Sequence, residues 1–293
     1  MFRSRLRNGF IVPLTMVLLF AFTSSAFSST SGASSNAKST SLKLPAKYRN
    51  GIVEAVTAGY PPYSYQKSNG QLGGLEPALS KALAKVLGVK ITIDPESFDN
   101  ELLGLNDGKF TFVPSLNVTA SRLKVYNMVS YVKDGSTLAA LKSDPALGAT
   151  PMSVCGHTVA DEVGDAALTV VAQWSKNCVS KGKGAIKILT YPANSSAELA
   201  VSSKRAQYVV GYLSVLGAFF KTPAGKDWRL TGPKFDVTLV ADGFLKSSPL
   251  ATYFQKALNA LIANGTYARI LNSNGFKSNA VAHSYLNPSS SAG

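Results

Sequence analysis

The sequence predicts an α/β protein built from two successive runs of alternating strands and helices. Three observations carry this. Apolar residues at 75, 78, 79, 82, 83, 86 and 87 form a helical stripe stopped by Gly88. Short β-branched or aromatic runs at 51–57, 89–93 and 110–113 bracket that helix and a second at 98–105. The alternation then resumes after Ser136, with strands at 137–141, 157–161, 186–191 and 207–211 between helices at 166–176 and 195–203. Strands separated by helices imply a mostly parallel sheet covered on both faces. A strand at 235–241, a strong helix with Leu250, Phe254, Leu258, Leu261 and Ile262 on one face, and a short helix at 267–271 close the pattern.

The 293 residues give room for two domains, and 45% hydrophobic with 16% charged residues is a globular composition. Arg3, Arg5 and Arg7 precede an apolar run at 10–22 and then Thr23-Ser24-Ser25-Ala26. This is the layout of a secretory signal with cleavage after Ala26, and the apolar run is too short to span a bilayer. No cysteine follows it, so lipid attachment there is not expected. Residues 27–44 are Ser/Thr/Ala/Gly-rich and read as a flexible leader, and residues 281–293 as a disordered tail. The expectation is a soluble, exported, periplasmic chain.

Net charge is +14, of which the three signal arginines supply +3. The remaining lysines are scattered, with no basic block and no interleaved aromatics, so nucleic acid is not an expected partner. The two cysteines, Cys155 and Cys178, are expected to pair in an exported chain. Two distant histidines give no metal cluster, and no cofactor or catalytic motif is present.

One segment concentrates binding chemistry. Residues 110–113 read as a buried strand, followed by a loop, Pro114-Ser115-Leu116-Asn117, and a helix start capped by Asn117 or Thr119. Free helix amides and the Arg122 guanidinium at one spot suit an anion such as a carboxylate, although an ordinary solvated arginine has the same local signature.

The order YPPYSY, NGQLGGLEPALSKALAKVLGVKI, LLGLNDGKFTFVPSLNVTASRLKVYNMVSY and, near the end, NGTYARIL closely resembles the polar amino-acid-binding proteins that feed ABC importers. The resemblance spans roughly residues 45–280. It implies a two-lobe, type II periplasmic-binding-protein-like fold with two crossover strands and an interlobe cleft. Lobe 1 would be residues 45–134 plus 237–280, and lobe 2 residues 135–236. It further implies a monomer that captures an amino-acid-like small molecule and delivers it to a membrane permease.

Carried over residue by residue, the resemblance makes Arg122 the carboxylate clamp, aided by Asn117 and Ser115, with the Tyr60 ring against the ligand. Thr57 occupies a position that often carries an acid. Two departures stand out. Asp165 replaces the usual threonine after the lobe-2 strand, and Tyr212 replaces the aspartate that holds the ligand's ammonium. Glu162 and Asp165 either face the cleft and receive a cation or form a solvated acidic patch, and Asp165 can also cap the next helix. An exported dehydratase on the same scaffold, or a binder of a non-amino-acid ligand, is the alternative expectation.

Overall fold

The computed structural model describes residues 42–289. The expected signal segment at 1–26 and nearly all of the leader lie outside those residues.

Strand β1 (Ile52–Thr57) is buried on both faces and pairs in parallel with β5 (Ile91–Glu96). Between them come three short strands, β2 (Gly59–Tyr60), β3 (Ser64–Gln66) and β4 (Leu72–Gly73), in a small antiparallel sheet, and then α1 (Leu75–Leu87). The α1 stripe meets the core as expected, with Leu75, Leu79, Leu83 and Leu87 all buried. The helix ends at Gly88, whose left-handed φ of 65° glycine adopts without a Cβ penalty. Helix α2 (Phe98–Asn106) follows.

The segment expected as a loop at 114–117 is instead part of β6 (Val113–Asn117), paired antiparallel with the long strand β11 described below. Pro114 is tolerated because β6 lies at the edge of its sheet. Helix α3 (Ala120–Val125) is one and a half turns long.

Strand β7 (Tyr126–Leu141) runs 16 residues without a break. After it come β8 (Thr158–Glu162), α4 (Ala167–Ser180), β9 (Lys187–Tyr191), α5 (Asn194–Ser202), β10 (Tyr208–Tyr212) and α6 (Leu213–Phe219). The chain returns through β11 (Trp228–Leu245), 18 residues antiparallel to β7. These two strands carry the chain from one lobe to the other and back, giving sheet order β6-β11-β7-β10-β8-β9. The sequence reads only pieces of them, because they are buried along most of their length and show no in–out alternation. Their pairing register shifts between Thr231 and Thr238, opposite Gly135, where any Cβ would meet Val237 Cγ2 at 2.9 Å.

Helix α7 (Leu250–Ala263) packs Leu250, Phe254 and Leu258 into the same core as the α1 leucines and Phe112, and α8 (Thr266–Ser273) adds Tyr267 and Leu271. A separate core holds Val159, Val171, Trp174 and Tyr208 of the other lobe. There Cys155 and Cys178 form a disulfide, as expected.

Residues 281–288 depart from the expected disordered tail. They lie along β7: Ser130 N donates to Tyr285 O (3.0 Å), Asn287 N to Met128 O (2.7 Å), and Met128 N to Asn287 Oδ1 (2.8 Å). Strand β10 pairs with β7 only at 136–139, so the edge at 128–130 needs another partner, and the tail supplies it. Among the described residues no helix is long and apolar enough to cross a membrane.

Candidate functional site

A narrow pocket opens at the ends of β1, β8 and β10, where their chains turn into loops and helices, the usual position for ligands in α/β sheets. From one lobe it is lined by Thr57, Tyr60, Ser64, Glu76, Phe98, Glu101, Pro114, Ser115 and Asn117. From the other come Glu162, Asp165 and Tyr212. Seven of the eight ligand-binding residues expected from the sequence are therefore brought together. Arg122 is the exception.

Local geometry explains how each side chain is aimed. Ser115 adopts φ 60°, a left-handed conformation uncommon for serine, which turns its hydroxyl off the strand to donate to Glu76 Oε1. The Ser115 amide donates to Tyr131 Oη (3.0 Å), and Tyr131 Oη donates in turn to Glu76 Oε1 (3.1 Å). Thr57 Oγ1 donates to Glu101 Oε1 at 2.6 Å. Tyr212 Oη donates to Asn117 Oδ1, and Asn117 Nδ2 to Asp236 Oδ2 (3.2 Å). Asp165 Oδ1 accepts the Ala167 amide (2.8 Å), so it does cap α4 while also lining the pocket. The Tyr60 ring lies 6.2 Å from that of Tyr212.

Arg122 is partly exposed, outside the lining. Its amide donates to Thr119 Oγ1 (3.1 Å), so Thr119, not Asn117, caps α3 and one of the expected free amides is already engaged. The guanidinium donates to Asn117 O (3.4 Å) and, from the opposite lobe, Gly164 O (3.1 Å), with Phe98 below it at 5.8 Å. Both carbonyls belong to the pocket's immediate frame, and these contacts occupy two of the five guanidinium donors.

Four carboxylates, Glu76, Glu101, Glu162 and Asp165, share this small space, and no Lys, Arg or His lines it. Burial pushes Glu162 up to about 8, aided by the charges of Asp165 and Asp99. Glu76 is pushed to about 7 by burial, opposed by its bonds from Ser115, Tyr131 and Ser64. Burial raises Glu101 as well. Asp165 is raised by burial and pulled back by its bond to Ala167 and by Arg122. Glu162 Oε1 is buried and has no hydrogen-bond partner among the described residues.

Sequence reading missed Ser64, Glu76, Phe98, Glu101 and Pro114. Glu101 had a signal: an acid three residues after Phe98 places it on the apolar face of α2, where both are buried. Glu76 follows directly on the NGQLGGL stretch that carries the resemblance. Ser64 and Phe98 offered nothing local.

Two α/β lobes joined by two long strands, with an enclosed pocket between them, define a periplasmic-binding-protein-like molecule of type II. The chain belongs to the bacterial extracellular solute-binding proteins, family 3, which it matches over residues 52–276. It is similar to the L-arginine-binding protein of Pseudomonas aeruginosa, 26% identical over 232 residues that cover 73% of this chain and 84% of that one. It is also similar, over a shorter stretch, to cyclohexadienyl dehydratase of the same organism, 28% identical over 118 residues covering 39% and 44%. Among solved structures, an ancestral arginine-binding protein bound to arginine superposes with a TM-score of 0.70 at 25% identity, covering 77% of this chain and 98% of that one.

Proposed function

We propose that this chain is the periplasmic solute-capturing component of an ABC importer, holding a small carboxylate-bearing ligand, an amino acid or derivative, between its lobes. In this reading residues 45–134 with 237–280 form lobe 1 and residues 135–236 form lobe 2. The chain works as a monomer, reaches the periplasm after cleavage at Ala26, and does not engage nucleic acid. The observation that carries the reading is the composition of the pocket. Neither lobe encloses it alone, so a ligand gains most of its contacts only when the lobes close on it. Arg122 would anchor the carboxylate with its remaining donors, or by releasing Gly164 O, and Ser115 and Asn117 would assist. Tyr60 and Tyr212 would cover the ligand's carbon skeleton. Thermal-shift screening against the common amino acids tests this, with a saturable rise in Tm expected for at least one of them.

A second reading, a dehydratase on the same scaffold, draws on Glu162. An acid raised to about 8 keeps its proton at neutral pH and can give it to a leaving hydroxyl. Incubation with prephenate decides: a binder returns it unchanged, whereas an enzyme yields product.

A further inference from the structure

We infer that the lobe carrying α1 docks on an anionic phospholipid bilayer through the face around the C-terminal half of that helix. Its contacts are Lys81, Lys85 and Arg269, with Lys43, Arg49 and Lys90 beside them. This goes beyond solute capture, because none of these residues lines the interlobe pocket.

The charge of this face follows from where its acids went. Residues 42–90 and 246–289, which supply β1 to β4, α1, α7 and α8, contain only two acids, Glu54 and Glu76. Both are turned inward, 1% and 3% exposed. Every Lys and Arg of the same two stretches is exposed. Among the described residues the ion pairs are those of Lys109 and Lys204, both elsewhere, so no carboxylate neutralises this face. The cations are neighbours in space. Lys81 and Lys85, one turn apart on α1, and Arg269 of α8 border a single groove that Ala82, Val86 and Ile270 also line. At the end of α1, Lys43 and Arg49 border a second groove with Leu87 and Val89, and Lys90 follows directly.

A single-signed field of this kind attracts an extended anionic surface. The chemistry favours a bilayer over a protein. Protein interfaces gather aromatic anchors and are depleted in lysine. Of the exposed large hydrophobics among the described residues, only Tyr285 belongs to these two stretches, and its backbone is tied to Ser130 of β7. Lys43, Lys81, Lys85 and Lys90 are hydrated point charges that suit headgroup phosphates without demanding a fixed geometry. Arg269 Nη2 donates to Thr266 Oγ1 (2.9 Å) and Arg49 Nε to Leu44 O (3.0 Å), leaving each guanidinium further donors for phosphate oxygens. An exported chain meets such headgroups at the membrane that holds its permease. With no apolar wedge to insert, the association is electrostatic and salt-sensitive.

The test is cosedimentation of the purified chain with vesicles containing phosphatidylglycerol and with vesicles of phosphatidylcholine alone. Wild type should prefer the anionic vesicles by about tenfold or more, and should leave them as salt rises from about 50 mM to about 500 mM. At about fivefold per cation, Lys81→Gln, Lys85→Gln and Arg269→Gln combined should weaken partition about 100-fold. Lys176→Gln, Lys181→Gln and Lys183→Gln combined remove the same charge from exposed positions on the other lobe, and should change partition by less than about threefold. Thermal melts verify that both variants fold. Equal partition to the two kinds of vesicle would overturn the inference and leave the face to an acidic protein. Equal loss in the two triple variants would overturn it too, making the attraction a matter of net charge alone. Either result leaves solute capture standing.

Discussion

The Tyr212 hydroxyl donates to Asn117 Oδ1 over 2.5 Å, joining the end of β10 to the end of β6 across the cleft. Both residues were expected to contact ligand, and here they contact each other. The bond holds the lobes together and keeps Asn117 fixed between Tyr212 and Asp236. A net hydrogen bond contributes about 1 kcal/mol, so Tyr212→Phe should weaken ligand affinity about fivefold. Small-angle scattering of the ligand-free variant should show a larger mean radius. Unchanged affinity and radius would mean the bond does not stabilise closure.

Arg122→Ala should weaken binding of a carboxylate ligand by roughly 30-fold or more, because truncating one side of a charged, hydrogen-bonded pair costs about 2–5 kcal/mol. Arg122→Lys should recover part of this, since an ammonium cannot form the forked contact. Arg205, exposed beside Tyr191, should tolerate alanine with no change in affinity. Calorimetry of the three variants checks the order.

The ligand-free chain should be more stable at pH 5 than at pH 8. Glu162 and Glu76 rise from 4.5 to about 8 and about 7, so the folded state holds their protons more tightly than the unfolded chain does. The stability this gives is full below about 4.5 and is lost as pH rises through 7 and 8. Around Glu162, burial acts first and the charges of Asp165 and Asp99 push in the same direction. Glu162→Gln should therefore raise Tm at pH 8 and flatten the pH dependence. A wild-type Tm that climbs between pH 5 and 8 would refute the assignment.

Reducing the Cys155–Cys178 bridge, which spans 23 positions, should cost roughly 3 kcal/mol through the loop it closes. Denaturant melts with and without reductant measure this. Thiol titration of the unfolded, unreduced chain should find no reactive cysteine, and finding two would remove the bridge.

Much of this was legible in the sequence, for physical reasons. The α1 stripe at period 3.6, and α7 with Leu250, Phe254 and Leu258 on one face, are local patterns that read directly. Strands β7 and β11 were seen only in part, since a strand buried on both sides loses its alternation. The tail at 281–288 looked disordered because its order comes from an open edge on β7, more than 150 positions away. Tyr60, Ser115 and Asn117 were read as site candidates on the quoted motifs, while Ser64, Glu76 and Pro114 on the same motifs were not, and Glu101 was not because its place depends on Thr57, 44 positions distant. Arg122 was expected to clamp the ligand's carboxylate, and it stands beside the pocket, outside its lining. Its contact with Gly164, 42 positions on, could not be seen before the lobes were placed together.

Reversible capture of an amino-acid-type solute is tested most directly by titrating the purified chain with a panel of amino acids in a calorimeter and recovering the bound molecule by chromatography. The account predicts saturable one-to-one binding of at least one of them, with the ligand recovered chemically unchanged. No binding across the panel, or a recovered product that differs from what was added, would contradict it.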